Sequence, residues 1–173
     1  MRNLKLTDSE RFILANQYDI LALLNKDENY SLMAETLRDG HVWLYQEYFD
    51  TLSENLSDHK SDHVLSILGI YGDIKCSFDQ LVDKSGIKES SLIFPGFDGN
   101  NESELLSFAQ ALRKHNRFSI TLGDTAKNSH MPTTEMYERM IQKWDELGKP
   151  HFPYSREQII AILDAQIHPE NRK

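Results

Sequence analysis

The chain has 173 residues, a formal net charge of −8 and 39% hydrophobic residues, enough length to bury a core without crosslinks and enough apolar content to exclude wholesale disorder. No apolar run approaches the roughly 20 residues of a bilayer span, and the single Cys76 excludes both an intrachain disulfide and a cysteine-based zinc site. Residues 1–90 carry 9 Lys/Arg against 16 Asp/Glu, so the acidic first half disfavours nucleic acid as a partner.

Residues 1–8 lack the apolar core of a secretion signal, which makes the cytoplasm the expected location. Thr7-Asp8-Ser9-Glu10 is a capping box, and the apolar residues that follow (Phe12, Ile13, Leu14, Ala15, Tyr18, Leu21, Ala22, Leu24) recur at helical spacing. They predict a helix over 8–24, with a stripe so broad that the helix should sit centrally in the core. Asp27-Glu28 opens a shorter helix through Leu37, closed by Gly40. The aromatic stretch 41–49 fits neither period well and is read as a short helix.

Ser57 caps a long helix whose buried side is marked by Val64, Leu65, Leu68, Tyr71, Ile74, Phe78 and Leu81. Gly69 and Gly72 weaken it by up to about 1 kcal/mol each relative to alanine, unless they admit a neighbouring helix. Pro95-Gly96 and Asp98-Gly99 are turn dipeptides, so the chain reverses there. Asn101-Glu102-Ser103-Glu104 reads as a helix start with Asn101 as its cap, and the helix is expected to run to Phe118. Residues 119–122 read as a short extended piece, and 123–132 as a loop stopped by Pro132. Thr133 or Thr134 starts a helix carrying Met136, Tyr137, Met140, Ile141 and Trp144, and Ser155-Arg156-Glu157-Gln158 is a final capping box. The expectation is an all-α protein, one domain over 1–173 with six to seven helices.

Several of these stretches, taken in order, resemble one family. Arg11-Phe12-Ile13-Leu14-Ala15-Asn16-Gln17-Tyr18, Gly96-Phe97-Asp98 with Glu102, Arg117-Phe118, Met131-Pro132 and the Tyr137, Met140, Trp144 spacing are similar to the YfbU domain family. The first helix and the region from Phe94 onward carry most of the likeness. The resemblance implies an all-helical, cytoplasmic bacterial protein that self-associates and has no assigned enzymatic activity.

Three residue groups are candidates for chemistry. His59 and His63 lie four apart on one helical face, a metal-ligand spacing. No third ligand follows in sequence, and a solvated first helical turn explains them better. Arg113 and Arg117 stand four apart in the basic cluster and could grip an anion together, although cations near a helix C-terminus need no ligand to explain them. Asp98, Glu102, Arg117, Asn128 and His130 would suffice for acid–base work on a small molecule if the turn before one helix met the loop after it, with Asp98, Glu102 and His130 as catalytic groups. The simpler expectation is an Asx-turn at Asp98, Glu102 on the first turn of the helix and a structural tie from Arg117 to one of the two acids. Neither a phosphate-binding loop, a dinucleotide fingerprint nor a nucleophile elbow is present, so no cofactor is implied. With no specific catalytic signature, the preferred expectation is a protein-interaction module that forms a homo-oligomer or takes a protein partner, away from membranes.

Overall fold

Helix α1 (Asp8–Asn25) starts where the capping box places it: in the computed structural model, which describes residues 5–124 and 126–171, the Glu10 amide donates to Thr7 Oγ1 at 3.2 Å and the Thr7 amide to Glu10 Oε2 at 2.8 Å. The fold is all-α. Among the described residues there are eight α-helices, two 3-10 turns and no strand, and the chain divides into two compact units between Asn55 and Leu56.

The first unit joins α1 to α2 (Glu28–Asp39) and α3 (Val42–Phe49). Asp27 accepts the Asn29 amide at 3.0 Å to cap α2, and Gly40, at φ +72°, closes it. A side chain at Gly40 would also meet Arg11 Nη1 at 2.7 Å, in the place where that guanidinium reaches the Leu37 carbonyl. Among the described residues, five form the buried core of this unit: Ala15, Met33, Ala34, Leu37 and Tyr45. The sequence expectation of a central first helix is therefore corrected. Of all the apolar residues of α1, Ala15 alone is buried. The stripe is wide because it covers two faces, and only one of them packs on α2.

The second unit is built on α4 (Asp58–Gln80), whose Val64, Ile67, Leu68, Ile70, Tyr71, Ile74 and Phe78 are buried. Around it stand a 3-10 turn (Glu89–Leu92), α5 (Ser103–Lys114), α6 (Ser119–Leu122), α7 (Thr134–Glu146), α8 (Arg156–Asp164) and a last 3-10 turn (Pro169–Asn171). Tyr71, Phe94, Phe97 and Tyr137 make one aromatic cluster, with ring centroids 5.4–6.2 Å apart. The Met and aromatic stripe of α7 is core as well: Tyr137 and Met140 are fully buried, and Met136 and Trp144 pack against them.

Two local expectations change. Residues 119–122 are a helical turn, not an extended piece, and α5 ends at Lys114 rather than Phe118. Asn116 takes a positive φ and the Arg117 amide turns back to the Leu112 carbonyl at 2.8 Å, which stops the helix and redirects the chain into α6. Gly72 has the role foreseen for a helix glycine. A Cβ there would lie 3.1 Å from Thr121 Oγ1, and that hydroxyl donates to the Leu68 carbonyl at 2.9 Å, so α6 rests directly on α4. Gly69 faces no such neighbour.

Candidate functional site

The double turn before α5 is held by backbone geometry that admits only glycine. Gly96 has φ +101°, and a Cβ there would stand 1.9 Å from the Lys127 carbonyl oxygen. This close approach lets Phe97 form an isolated parallel bridge with Asn128, in which the Phe97 amide donates to the Lys127 carbonyl (3.3 Å) and the Ser129 amide to the Phe97 carbonyl (3.1 Å). The sequence marked Gly96 as a turn residue; the partner 31 positions away has no local signal.

Glu102 lies at the centre of this junction. It is the N-cap residue of α5, yet its side chain does not cap α5. Glu102 Oε1 accepts the backbone amides of Thr133 (2.7 Å) and Thr134 (2.6 Å) and the Thr134 hydroxyl (2.6 Å). Oε2 accepts the Asp98 amide (2.9 Å) and the Thr133 hydroxyl (2.8 Å). The carboxylate thus caps α7 from outside, at the positive end of that helix. Burial pushes its pKa up, but the bonds from Asp98, Thr134 and Thr133 outweigh burial and hold it at about 2. A carboxylate so fully satisfied and so acidic is a poor proton donor or acceptor near neutral pH.

The other members of the proposed acid–base group are placed as follows. Asp98 is buried and accepts the Asn100 amide and the Asn101 side-chain amide, the expected Asx-turn. Asn101 is accordingly a partner of Asp98 and not the cap of α5. Asn128 Oδ1 accepts the amides of Gly99 (3.0 Å) and His130 (2.9 Å), so it too serves the junction. His130 is exposed, at φ +57°. Arg117 is exposed and, among the described residues, forms no ion pair with Asp98 or Glu102. The tie expected from Arg117 is supplied by Thr133 and Thr134 instead. Arg113 donates from Nε to the Gly123 carbonyl, pinning the end of α5 to the turn after α6.

His59 and His63 do share a concavity. A cleft of about 330 Å³ opens between the first turns of α4, α5 and α7, lined by His59, Lys60, His63, Glu102, Glu104 and Glu138. His63 is partly buried, and its Nε2 is enclosed without a hydrogen-bond partner. Burial lowers its pKa; Glu138 works against that, and His59 adds to it. Lys60 is paired with Glu104. Among the described residues no group of three or more His, Cys, Asp or Glu is arranged to hold a metal ion, so the two histidines lack a third ligand. Glu104 was legible only as part of the helix start after Asn101, and Glu138 belongs to no motif.

The feature with the strongest physical demand lies in the first unit. Among the described residues, twelve large apolar side chains there are more than a third exposed: Phe12, Ile13, Ile20, Leu21, Leu23 and Leu24 on α1, and Leu32, Val42, Trp43, Leu44, Tyr48 and Leu52 beyond it. On α1, Ile13, Ile20 and Leu24 stand at i, i+7 and i+11, one stripe on the side away from buried Ala15. Between Phe12 and Leu24 the only charge is Asp19, and it is paired with Arg38 of α2. The result is a charge-free helix face, apolar except for Asn16 and Gln17, close to the composition found at the centre of protein interfaces. Among the described residues no helix is long and apolar enough to cross a membrane.

Comparison with known proteins agrees with the motif order. Residues 4–165 match the family model described as the YfbU domain. The UPF0304 protein MJECS11 of Methanocaldococcus jannaschii is similar at 30% identity, over 92% of this chain and 99% of the relative. With nearly the whole chain matched by the family model and by a full-length relative, this protein belongs to the YfbU domain family.

Proposed function

We propose that the protein is a self-associating interaction module, and that the bare face of α1 is the contact between two copies. The observation that carries this reading is the charge-free stripe of Ile13, Ile20 and Leu24, flanked by Phe12, Leu21 and Leu23. Covering each of these half-exposed side chains contributes about 1 kcal/mol, and a two-fold contact uses every residue twice.

Charge restricts where a second copy can dock. Residues 1–55 carry 5 Lys/Arg against 10 Asp/Glu, so most homotypic contacts of this unit would set like charges against each other. The α1 stripe is where two identical acidic surfaces meet without that cost. Its five-residue core also leaves the unit with little burial of its own, and pairing supplies what is missing.

Sedimentation velocity at tens of micromolar protein tests the proposal. The expected result is a dimer for the wild type and a monomer of unchanged helicity for Ile20→Glu, a change at an exposed position that leaves the core intact. A wild-type chain that sediments as a monomer at that concentration overturns it.

A further inference from the structure

A second concavity of the second unit shares Lys127 with the junction and none of its lining with the α1 face. It is a groove of about 750 Å³ between α4, the Glu89–Leu92 turn and α6, within the size range of small-molecule sites. Its floor is core: Tyr71, Phe78, Leu92, Phe94 and Leu122 are buried residues that also line it. At its margins stand Ile93 and Ile120, from different elements, each more than half exposed. Two isoleucines left in water beside an apolar floor mark a surface that gains by being covered.

The charges at the groove define what covers it. Lys75, Lys84 and Lys127 line it together with Asp79 and Glu89, and among the described residues none of the five is in an ion pair. The balance is a single positive charge, in a chain whose net charge is −8. Two of the ammonium groups lean toward the apolar lining and find only neutral partners: Lys84 Nζ lies 4.6 Å from the centre of the Phe78 ring, and Lys75 Nζ reaches the Ile120 carbonyl at 3.5 Å. They are positioned for an anion before it arrives. The two carboxylates that also line the groove repel a multiply charged group such as a phosphomonoester more strongly than a single charge, which leaves a monoanion as the best complement.

We infer that this groove binds a small amphipathic carboxylate, with the apolar body on the Tyr71, Phe78 and Phe94 floor and the carboxylate among Lys75, Lys84 and Lys127. Isothermal titration calorimetry of the full chain with decanoate, below its micellar concentration, is the test. Decanoate is expected to bind one per chain, and Lys84→Glu/Lys127→Glu is expected to weaken it by about tenfold or more. These lysines are exposed, so the double variant keeps its fold. Decylammonium should bind more weakly than decanoate, and Ile20→Glu should leave decanoate binding unchanged. The inference is overturned by no heat of binding at millimolar decanoate, by decylammonium binding equally well, or by loss of binding in Ile20→Glu, which would place the ligand on the α1 face.

Discussion

Glu102 caps a helix that is not its own: Thr134, 32 residues further along, donates its backbone amide to Glu102 Oε1 at 2.6 Å. The Thr133 amide and both threonine hydroxyls converge on the same carboxylate. Thr133, the N-cap residue of α7, makes no capping bond with its own side chain, so the first turn of α7 depends on Glu102. Replacing Glu102 with glutamine keeps the shape, removes the charge and turns an N–H group toward donors. The expected cost is about 2–3 kcal/mol of unfolding free energy, read by urea denaturation.

Acid should act on the same contact. The carboxyl of Glu102 has a folded pKa of about 2 against an ordinary 4.5, so the stability it contributes is fully present above 4.5 and is lost as the pH falls toward 2. The shift corresponds to about 3 kcal/mol. His63 adds to the decline at milder acidity: its folded pKa is depressed by burial, so protonation in the unfolded chain begins to favour unfolding as the pH drops through about 6.5. Denaturation midpoints measured from pH 7 to pH 3 should fall in wild type, and fall less steeply below 4.5 in Glu102→Gln.

At Gly96 even one methyl group is excluded. A Cβ would stand 1.9 Å from the Lys127 carbonyl oxygen, and φ +101° is itself unfavourable for any L side chain. Gly96→Ala should cost about 3 kcal/mol or more, because the Phe97–Asn128 bridge must open to accommodate it. Thermal denaturation of the variant checks this. Gly69→Ala, where a Cβ meets nothing within 4 Å, should instead be neutral or stabilising by up to about 1 kcal/mol.

Loss of a capping box should be a milder, local injury. The Gln158 amide donates to Ser155 Oγ at 3.3 Å and the Ser155 amide to Gln158 Oε1 at 2.8 Å, at the start of α8. Ser155→Ala should therefore cost about 1 kcal/mol. Hydrogen exchange should show the change concentrated in the first turn of α8.

What sequence could and could not convey divides along a physical line. The caps at Thr7, Asp27, Ser57 and Ser155 were legible because donor and acceptor sit within three residues of each other. The role of Glu102 was hidden for the opposite reason: sequence places it on the first turn of its own helix, while Thr133 and Thr134 arrive more than 30 residues later. The acid–base grouping was half legible. Asp98, Glu102 and Asn128 do come together, but as hydrogen-bond acceptors for backbone amides, and among the described residues neither Arg117 nor His130 is bonded to the Asp98 or Glu102 carboxylate. For α1, composition showed apolar residues on more than one side, yet periodicity cannot tell a face covered by the same chain from one left bare. The apolar pattern of 12–24 is common to both situations.

The cap on α7 also bears on how the protein comes to be folded. Its first amides are satisfied only when Gly96–Glu102 is already in place, so α7 cannot be completed as an independent helix. The segment closed between Glu102 and Thr134 must forfeit its freedom first, and that ordering makes the junction a late step in assembly. A peptide spanning α7 alone should fray at its N-terminus, and a chain emerging from the ribosome should hold α7 loosely until Glu102 can reach it.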